Sequence, residues 1–349
     1  MNDPIRIGFV GAGFMGQKAH LDCFTTIPGC QVVALAEGRQ DSAQLVATRY
    51  GIPRTYPDHR EMLRNEELDA VVAVLPYSLH SSVIPDILDA GLHVLTEKPM
   101  CMSPDTGRRM AKLARDKGVI YYVGYMKRSA PATRRAVDVI SDWKASGAQG
   151  HMKYLRASMP PGDWLFEIEP PLSAGDGAPG YEGVAPEPFP SWMDELTGRE
   201  YNSFINYFIH QVNLIRCLLG EDWQVQYVGP GRSMLAGTSS SGVEVVLEMA
   251  GYGLRTGWEE AYRMVFQQGK VELDIPSPMA RQRGGEVRIF RGGDIQSEEI
   301  PCIPPRWPFL EQARHFVDCV RGEDSPRSVP EDAVKDLEVA EEYARLVSQ

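Results

Sequence analysis

The stretch IRIGFVGAGFMGQ, residues 5–17, constrains this chain more than any other. A short apolar run, Ile5 to Val10, enters a turn with glycines at 11, 13 and 16, and a helical pattern follows. Each glycine has a separate task in such a turn: a tight reversal at Gly11, close backbone approach to a pyrophosphate at Gly13, and close packing of helix on strand at Gly16. Phe14 and Met15 belong to the same turn, where the free N–H groups and dipole of the helix start would face the phosphates.

The triplet alone is a weak signal, and its context strengthens it. The next apolar run, CQVVALAEGR, ends in Glu37, about twenty residues beyond the turn. There an acid takes ribose hydroxyls and repels a 2′-phosphate, which favours NAD. Arg39 offers the opposite choice, pairing with that phosphate, so NADP stays open. A glycine turn in an unrelated α/β fold is the bland alternative.

Apolar runs and amphipathic stretches then alternate through DAVVAVLPY, HSSVIPDILDAG, HVLTEKPM, PDTGRRMAKLARDKG and VIYYVGYM. Uniformly apolar strands between amphipathic helices predict a doubly wound parallel sheet covered on both faces. Ligands of such sheets lie beyond the carboxyl ends of the strands, so Pro76 to His80 and Glu97 to Pro99 should face a cofactor.

At 349 residues two domains are expected, read as 1–126 and 127–349. The formal charge of −11 argues against a nucleic-acid or anionic-membrane partner, which would need a basic footprint. Six cysteines without CxxC or Cys/His spacing suit reduced thiols rather than zinc. With no apolar run of spanning length and no leader-like start, the chain reads as cytoplasmic.

The motifs GFVGAGFMG, LPYSLHSSVIPDILDAGLHVLTEKPM and VGYMKR resemble the Gfo/Idh/MocA oxidoreductases. The resemblance runs from residue 5 to about 130 and returns at residues 202–220 and in the C-terminal helical patterns. It implies a Rossmann domain followed by an α/β domain with a large, mostly antiparallel open sheet. It also implies NAD(P), and a sugar, amino sugar or cyclitol whose hydroxyl or keto carbon exchanges a hydride. Lys98 of E-K-P would stand at the nicotinamide and the reacting hydroxyl, Glu97 would hold the turn, and the peptide before Pro99 is often cis in the family. His80 of the P-x-x-x-H turn is read as ordering the cofactor side, with Tyr77 beside it.

Beyond Lys127 the rhythm changes to a helix, a strand, and a Pro/Gly-rich insert over 160–201 that the resemblance does not cover. Its aromatics, Trp164, Phe166, Tyr181, Phe189 and Trp192, suit stacking on a sugar or closing over a pocket, and equally a lid or an oligomer contact. Strand patterns then run from QVQYV to EVRIF. Their alternation predicts one covered and one open apolar face, and hence a homodimer or homotetramer.

The pattern NSFINYFIHQVNLIRCLLG reads as one continuous helix with Asn206, His210 and Asn213 along one face. The family carries D-x-x-x-H here. His210 matches the histidine, the commonest base at neutral pH, while Asn206 stands for the acid and Asn213 for a later aspartate. An amide can orient a substrate hydroxyl but cannot take a proton. Lys98 and His210 are therefore read as sharing the proton work, with help from Tyr207 or an acid of the insert, or drifted chemistry, as the alternatives, and Asn206, Tyr207, Arg128 and Trp164 as the substrate side. Two rivals are kept: a redox-neutral enzyme that uses bound NAD transiently for elimination or glycoside cleavage, and a non-catalytic dinucleotide or sugar sensor.

Overall fold

A computed structural model describes residues 3–165, 168–177, 183–253 and 257–349; Phe166 and Tyr181 of the insert lie outside the described residues. The chain forms two compact units that are discontinuous in sequence: Met1–Tyr125, Glu169–Trp192 and Phe309–Val334 make one, and Met126–Ile168, Met193–Pro308 and Lys335–Gln349 the other. The segments 169–192 and 309–334, which the two-part sequence division assigns to the second domain, thus group with the first unit.

In the first unit, β1 (Ile5–Val10), β2 (Cys30–Ala36), β3 (Arg54–Tyr56), β4 (Ala70–Ala73), β5 (His93–Glu97) and β6 (Tyr121–Gly124) form one sheet in the order β3-β2-β1-β4-β5-β6. Every pairing is parallel. The order reverses between β1 and β4, which opens a crevice at the carboxyl ends of those strands. All four residues of β4 are buried, as are the last four of β1, so these runs carry no polar alternation.

A π-helical stretch, Gly16–Leu21, leads into α1 (Asp22–Phe24), followed by α2 (Gln40–Tyr50), α3 (His59–Asn65), α4 (His80–Asp89) and α5 (Pro104–Lys117). The boundaries of α5 follow from its sequence. Ser103 accepts the Thr106 N–H, Pro104 needs no N–H partner in the first turn, and Gly118 takes the left-handed conformation at φ 66°.

The second unit holds α6 (Pro131–Ser146), β7 (Met152–Ser158), α7 (Glu195–Tyr207), α8 (Ile209–Leu219), β8 (Trp223–Val228), β9 (Met234–Ser239), β10 (Glu244–Glu248), β11 (Ala261–Phe266), β12 (Gly269–Asp274), β13 (Glu286–Arg291) and β14 (Ser297–Glu299). The helices α9 (Pro308–Val320) and α10 (Pro330–Val347) complete the chain, α9 almost wholly in the first unit and α10 divided at Val334. The eight-stranded sheet runs β14-β13-β12-β11-β7-β10-β9-β8, antiparallel except where β10 pairs with β7.

One face of this sheet is apolar and buried, through Leu155, Met264, Val271, Leu273, Val245 and Ile289, each 0% exposed. Each such side chain contributes about 1.5–3 kcal/mol by leaving water. The other face is mixed: Arg156 pairs with Glu248 at 2.7 Å and Arg263 with Glu272 at 2.6 Å, beside half-buried Tyr154, Val246, Val265 and Phe290. Alternation leaves open how the outward positions are filled, and here ion pairs are set among apolar side chains.

Candidate functional site

The glycine turn has the geometry that its spacing demands. Gly11 has φ +86°, and a Cβ there would stand 2.3 Å from the Val74 carbonyl oxygen. At Gly16 a Cβ would meet the Gly11 carbonyl oxygen at 2.7 Å. Around Gly13 no atom of the described residues comes within 4 Å of that position, so the backbone there borders open space. Phe14 and Met15 are half-buried at the helix start.

Glu37 follows β2, is 1% exposed, and closes onto this turn by accepting the Ala12 N–H at 2.8 Å. It is also held by Arg39, whose Nε and Nη2 lie 3.0 and 2.9 Å from its two oxygens. Burial alone would raise its pKa, but Arg39 and the Ala12 N–H outweigh burial and hold the carboxyl below its ordinary value. Arg39, read from sequence as a phosphate partner, is thus engaged with the acid itself. An open approach at Gly13 and an ionised carboxylate at the end of β2 fit the pyrophosphate and ribose of a dinucleotide.

The second motif lies at the end of β5. The Lys98–Pro99 peptide is cis, and Lys98 is half-buried. Its N–H donates to Glu97 Oε2 at 3.1 Å, and Glu97 Oε1 lies 2.7 Å from His20 Nε2. His20 is 2% exposed and sits on the π-helical stretch that starts at Gly16, so the Lys98 turn is tied to the helix of the glycine turn. Nothing in the spacing of His20 announces this role; a histidine inside an apolar helix reads as core.

Pro76 opens the short turn Tyr77–Leu79, accepting the Leu79 N–H at 2.8 Å, and His80 begins α4. His80 is fully buried with Nδ1 3.0 Å from the Met100 carbonyl oxygen, and burial pushes its pKa down to about 4. It is a neutral imidazole at neutral pH that braces the backbone just after the cis peptide. Burial raises the Tyr77 hydroxyl to about 12, which keeps it a protonated donor.

In the second unit the expected continuous helix is two helices. α7 ends and α8 begins at Phe208, with φ −96° and ψ −2°, and the Phe208 carbonyl accepts both the Gln211 and the Val212 N–H groups. The i+3 bond tightens the chain locally without proline or glycine, so the 3.6-residue pattern reads straight through it. Asn206 is exposed at the end of α7, while His210 is half-buried in the first turn of α8. The Tyr207 hydroxyl lies 3.5 Å from the Gly162 carbonyl oxygen, and Trp164 is half-buried nearby in sequence.

Asn213 does not share the setting of Asn206. It is buried, accepts from Arg128 Nε at 2.8 Å and donates to Asp336 at 2.7 Å; Asp336 also takes Arg216 at 3.1 Å. Arg128, read as a substrate ligand, is 8% exposed and belongs to this buried network.

Two arrangements have no counterpart in the sequence reading. Lys127 Nζ lies 2.6 Å from both oxygens of Glu260, which also accepts from Gln211 and Tyr262 at 2.8 and 2.6 Å. The other is the insert, whose 169–192 part binds the first unit: Leu172 exchanges two hydrogen bonds with the Gln17 amide, and Glu187 accepts from Ser103 and the Met102 N–H. Among the described residues no helix is long and apolar enough to cross a membrane, and no three His, Cys, Asp or Glu side chains cluster as metal ligands.

Residues 5–125 match the model of an oxidoreductase family with an NAD-binding Rossmann fold. The chain is 29% identical to scyllo-inositol 2-dehydrogenase (NAD(+)) of Bacillus subtilis over 97% of its own length and 93% of the relative's. It is also 29% identical to D-glucoside 3-dehydrogenase of Escherichia coli, over 40% of each chain. Among solved structures, an aldose-aldose oxidoreductase from Caulobacter crescentus superposes with a TM-score of 0.72 at 20% identity, over 99% of this chain and 98% of that one. A 3-ketoreductase from Actinomadura kijaniata in complex with NADP gives 0.69 at 21% identity, over 97% and 96%. The turn, the acid and the lysine placed as its motifs require all lie within the segment that matches the Gfo/Idh/MocA oxidoreductase family, and likeness to an inositol dehydrogenase runs along nearly the whole length.

Proposed function

We propose that this protein is an NAD(P)-dependent oxidoreductase that moves a hydride between nicotinamide and a hydroxyl or keto carbon of a sugar, amino sugar or cyclitol. The observation that carries the reading is the His20–Glu97 bond of 2.7 Å, which anchors the Lys98 turn to the helix of the dinucleotide glycines. Relatives with sugar and cyclitol names support the substrate class.

Gly11, Gly13, Phe14, Met15 and Gly16 would hold the pyrophosphate, Glu37 the ribose hydroxyls, and Pro76 a wall of the nicotinamide end, with His80 and Glu97 bracing that end from behind. Bound nicotinamide supplies or accepts the hydride. Lys98 and His210 handle the hydroxyl proton, and Asn206 orients substrate where a family carboxylate would share that work; Tyr207 and Trp164 complete the substrate side, with Arg128 behind them in the buried network of Asn213. A cytoplasmic location is supported by six free cysteines. A homodimer or homotetramer through the eight-stranded sheet would bury its outward face, with Tyr154, Val246, Val265 and Phe290 set among the ion pairs.

The test is a fluorescence titration with NADH and NADPH, followed by a panel of sugars and cyclitols at the reduced-nicotinamide absorbance band. Binding of a dinucleotide and substrate-dependent change of that band are expected. Lys98→Ala should keep dinucleotide binding and lose turnover. A protein that binds neither dinucleotide, or a Lys98→Ala variant as active as the parent, overturns the reading.

A further inference from the structure

The insert places a second carboxylate where a dinucleotide's adenosine end would be read. Asp176 Oδ2 accepts the Ser42 N–H at 3.0 Å, its Oδ1 accepts the Ser42 hydroxyl, and that hydroxyl in turn accepts the Ala174 N–H at 3.0 Å. Ser42 stands in the first turn of α2, whose N-cap residue Arg39 makes no side-chain cap bond. The segment of insert leading to Asp176 is fixed at Leu172, whose N–H and carbonyl bond the Gln17 amide at 2.8 and 3.0 Å. Gln17 is 2% exposed and also donates to the Ala12 carbonyl at 2.7 Å, inside the glycine turn. One segment thus spans from the pyrophosphate turn to the helix start beside Glu37 and Arg39.

An acid after β2 selects NAD by bonding ribose hydroxyls, whereas NADP needs a cation and free N–H groups for its 2′-phosphate. In this chain the first turn of α2 offers such a place, with Arg39 at its edge. Asp176 fills it with negative charge, and Glu37 already neutralises Arg39. The Ser42 hydroxyl and N–H, and more weakly the Arg39 charge, hold the Asp176 carboxyl below its ordinary value, so it is ionised at neutral pH. A phosphate arriving there would have to displace a carboxylate and face Glu37 as well.

We propose that Asp176 is a specificity-determining residue supplied by the insert: its carboxylate occupies the α2 N-terminus, excludes the 2′-phosphate of NADP and selects NAD. The proposal rests on the dinucleotide reading above. A carboxylate at a helix start also serves as a plain cap, and the two roles differ in what a neutral replacement does. An amide or hydroxyl at 176 keeps an acceptor for the Ser42 N–H but removes the charge.

The test is paired fluorescence titration of NADH and NADPH on the full chain and on Asp176→Asn and Asp176→Ser, with thermal melts to confirm folding. The expected result is a parent that prefers NADH, and variants in which NADPH tightens by about tenfold or more while NADH changes by about twofold or less. Equal changes for both dinucleotides, no change in their ratio, or a parent that binds NADPH as tightly as NADH overturns the proposal. In each of those outcomes the dinucleotide reading survives; it falls, and this proposal with it, only where the parent binds neither.

Discussion

His20 Nε2 lies 2.7 Å from Glu97 Oε1, and both side chains are withdrawn from solvent. Glu97 also takes the Lys98 N–H, so the imidazole fixes the residue that fixes the lysine. His20→Ala leaves a buried carboxylate short of a partner and should cost about 1–3 kcal/mol of stability. If Lys98 acts as proposed, kcat should fall more than dinucleotide affinity. His20→Gln, which can donate to Glu97, should restore part of both. Urea melts and steady-state kinetics on the two variants check this, and equal stability of all three proteins would sink it.

Gly11 and Gly13 differ by two positions and should fail in different ways. An alanine at 11 would combine a φ of +86° with a Cβ 2.3 Å from the Val74 carbonyl oxygen, so Gly11→Ala should lower the melting temperature by several degrees. At Gly13 a Cβ meets no described atom within 4 Å. Gly13→Ala should therefore melt close to the parent and lose dinucleotide affinity by about tenfold or more, because the methyl takes space meant for a pyrophosphate. Melts and NADH titrations on both variants separate the two; a Gly13→Ala protein that binds NADH like the parent contradicts the assignment.

The contrast shows what sequence could reveal. Gly11, Gly16 and Glu37 were legible because local chain geometry dictates them: a turn, a close contact and a strand end recur at fixed offsets. The parallel sheet was legible for the same reason, through period and length. What stayed hidden is set by distance in sequence. His20 meets Glu97 across 77 residues and Ser42 meets Asp176 across 134. The break at Phe208 was hidden differently, since the apolar period continues on both sides and no breaking residue marks it.

His80 carries a pH signature. Its pKa falls from 6.5 to about 4 on burial, with the Met100 carbonyl and the Glu97 charge opposing the fall only in part. The unfolded chain therefore binds a proton between those values that the folded protein refuses. Stability from this group is complete above the unfolded pKa and is lost as pH falls through the window from 6.5 towards about 4. At about 1.4 kcal/mol for each pH unit, the loss approaches about 3 kcal/mol. Denaturant titrations at pH 7.5 and 4.5 should show this loss in the parent and a smaller one in His80→Asn. The same pH dependence in both proteins would remove His80 as its source.

Lys127 and Glu260 are 4% and 3% exposed, and the ammonium lies 2.6 Å from both carboxylate oxygens. Each charge is out of water and depends on the other, so removing one leaves the second uncompensated. Glu260→Gln should cost about 3–5 kcal/mol, and Lys127→Met a similar amount. The double variant should be more stable than the sum of the single losses implies, with a coupling energy of about 1–3 kcal/mol. Gln211 and Tyr262 donate to the same carboxylate, and an amide oxygen at 260 can still accept from them, so the cycle reports the ion pair rather than the whole network. Strictly additive losses in urea titrations would mean that the two charges are screened from each other, which a contact of 2.6 Å inside the second unit does not allow.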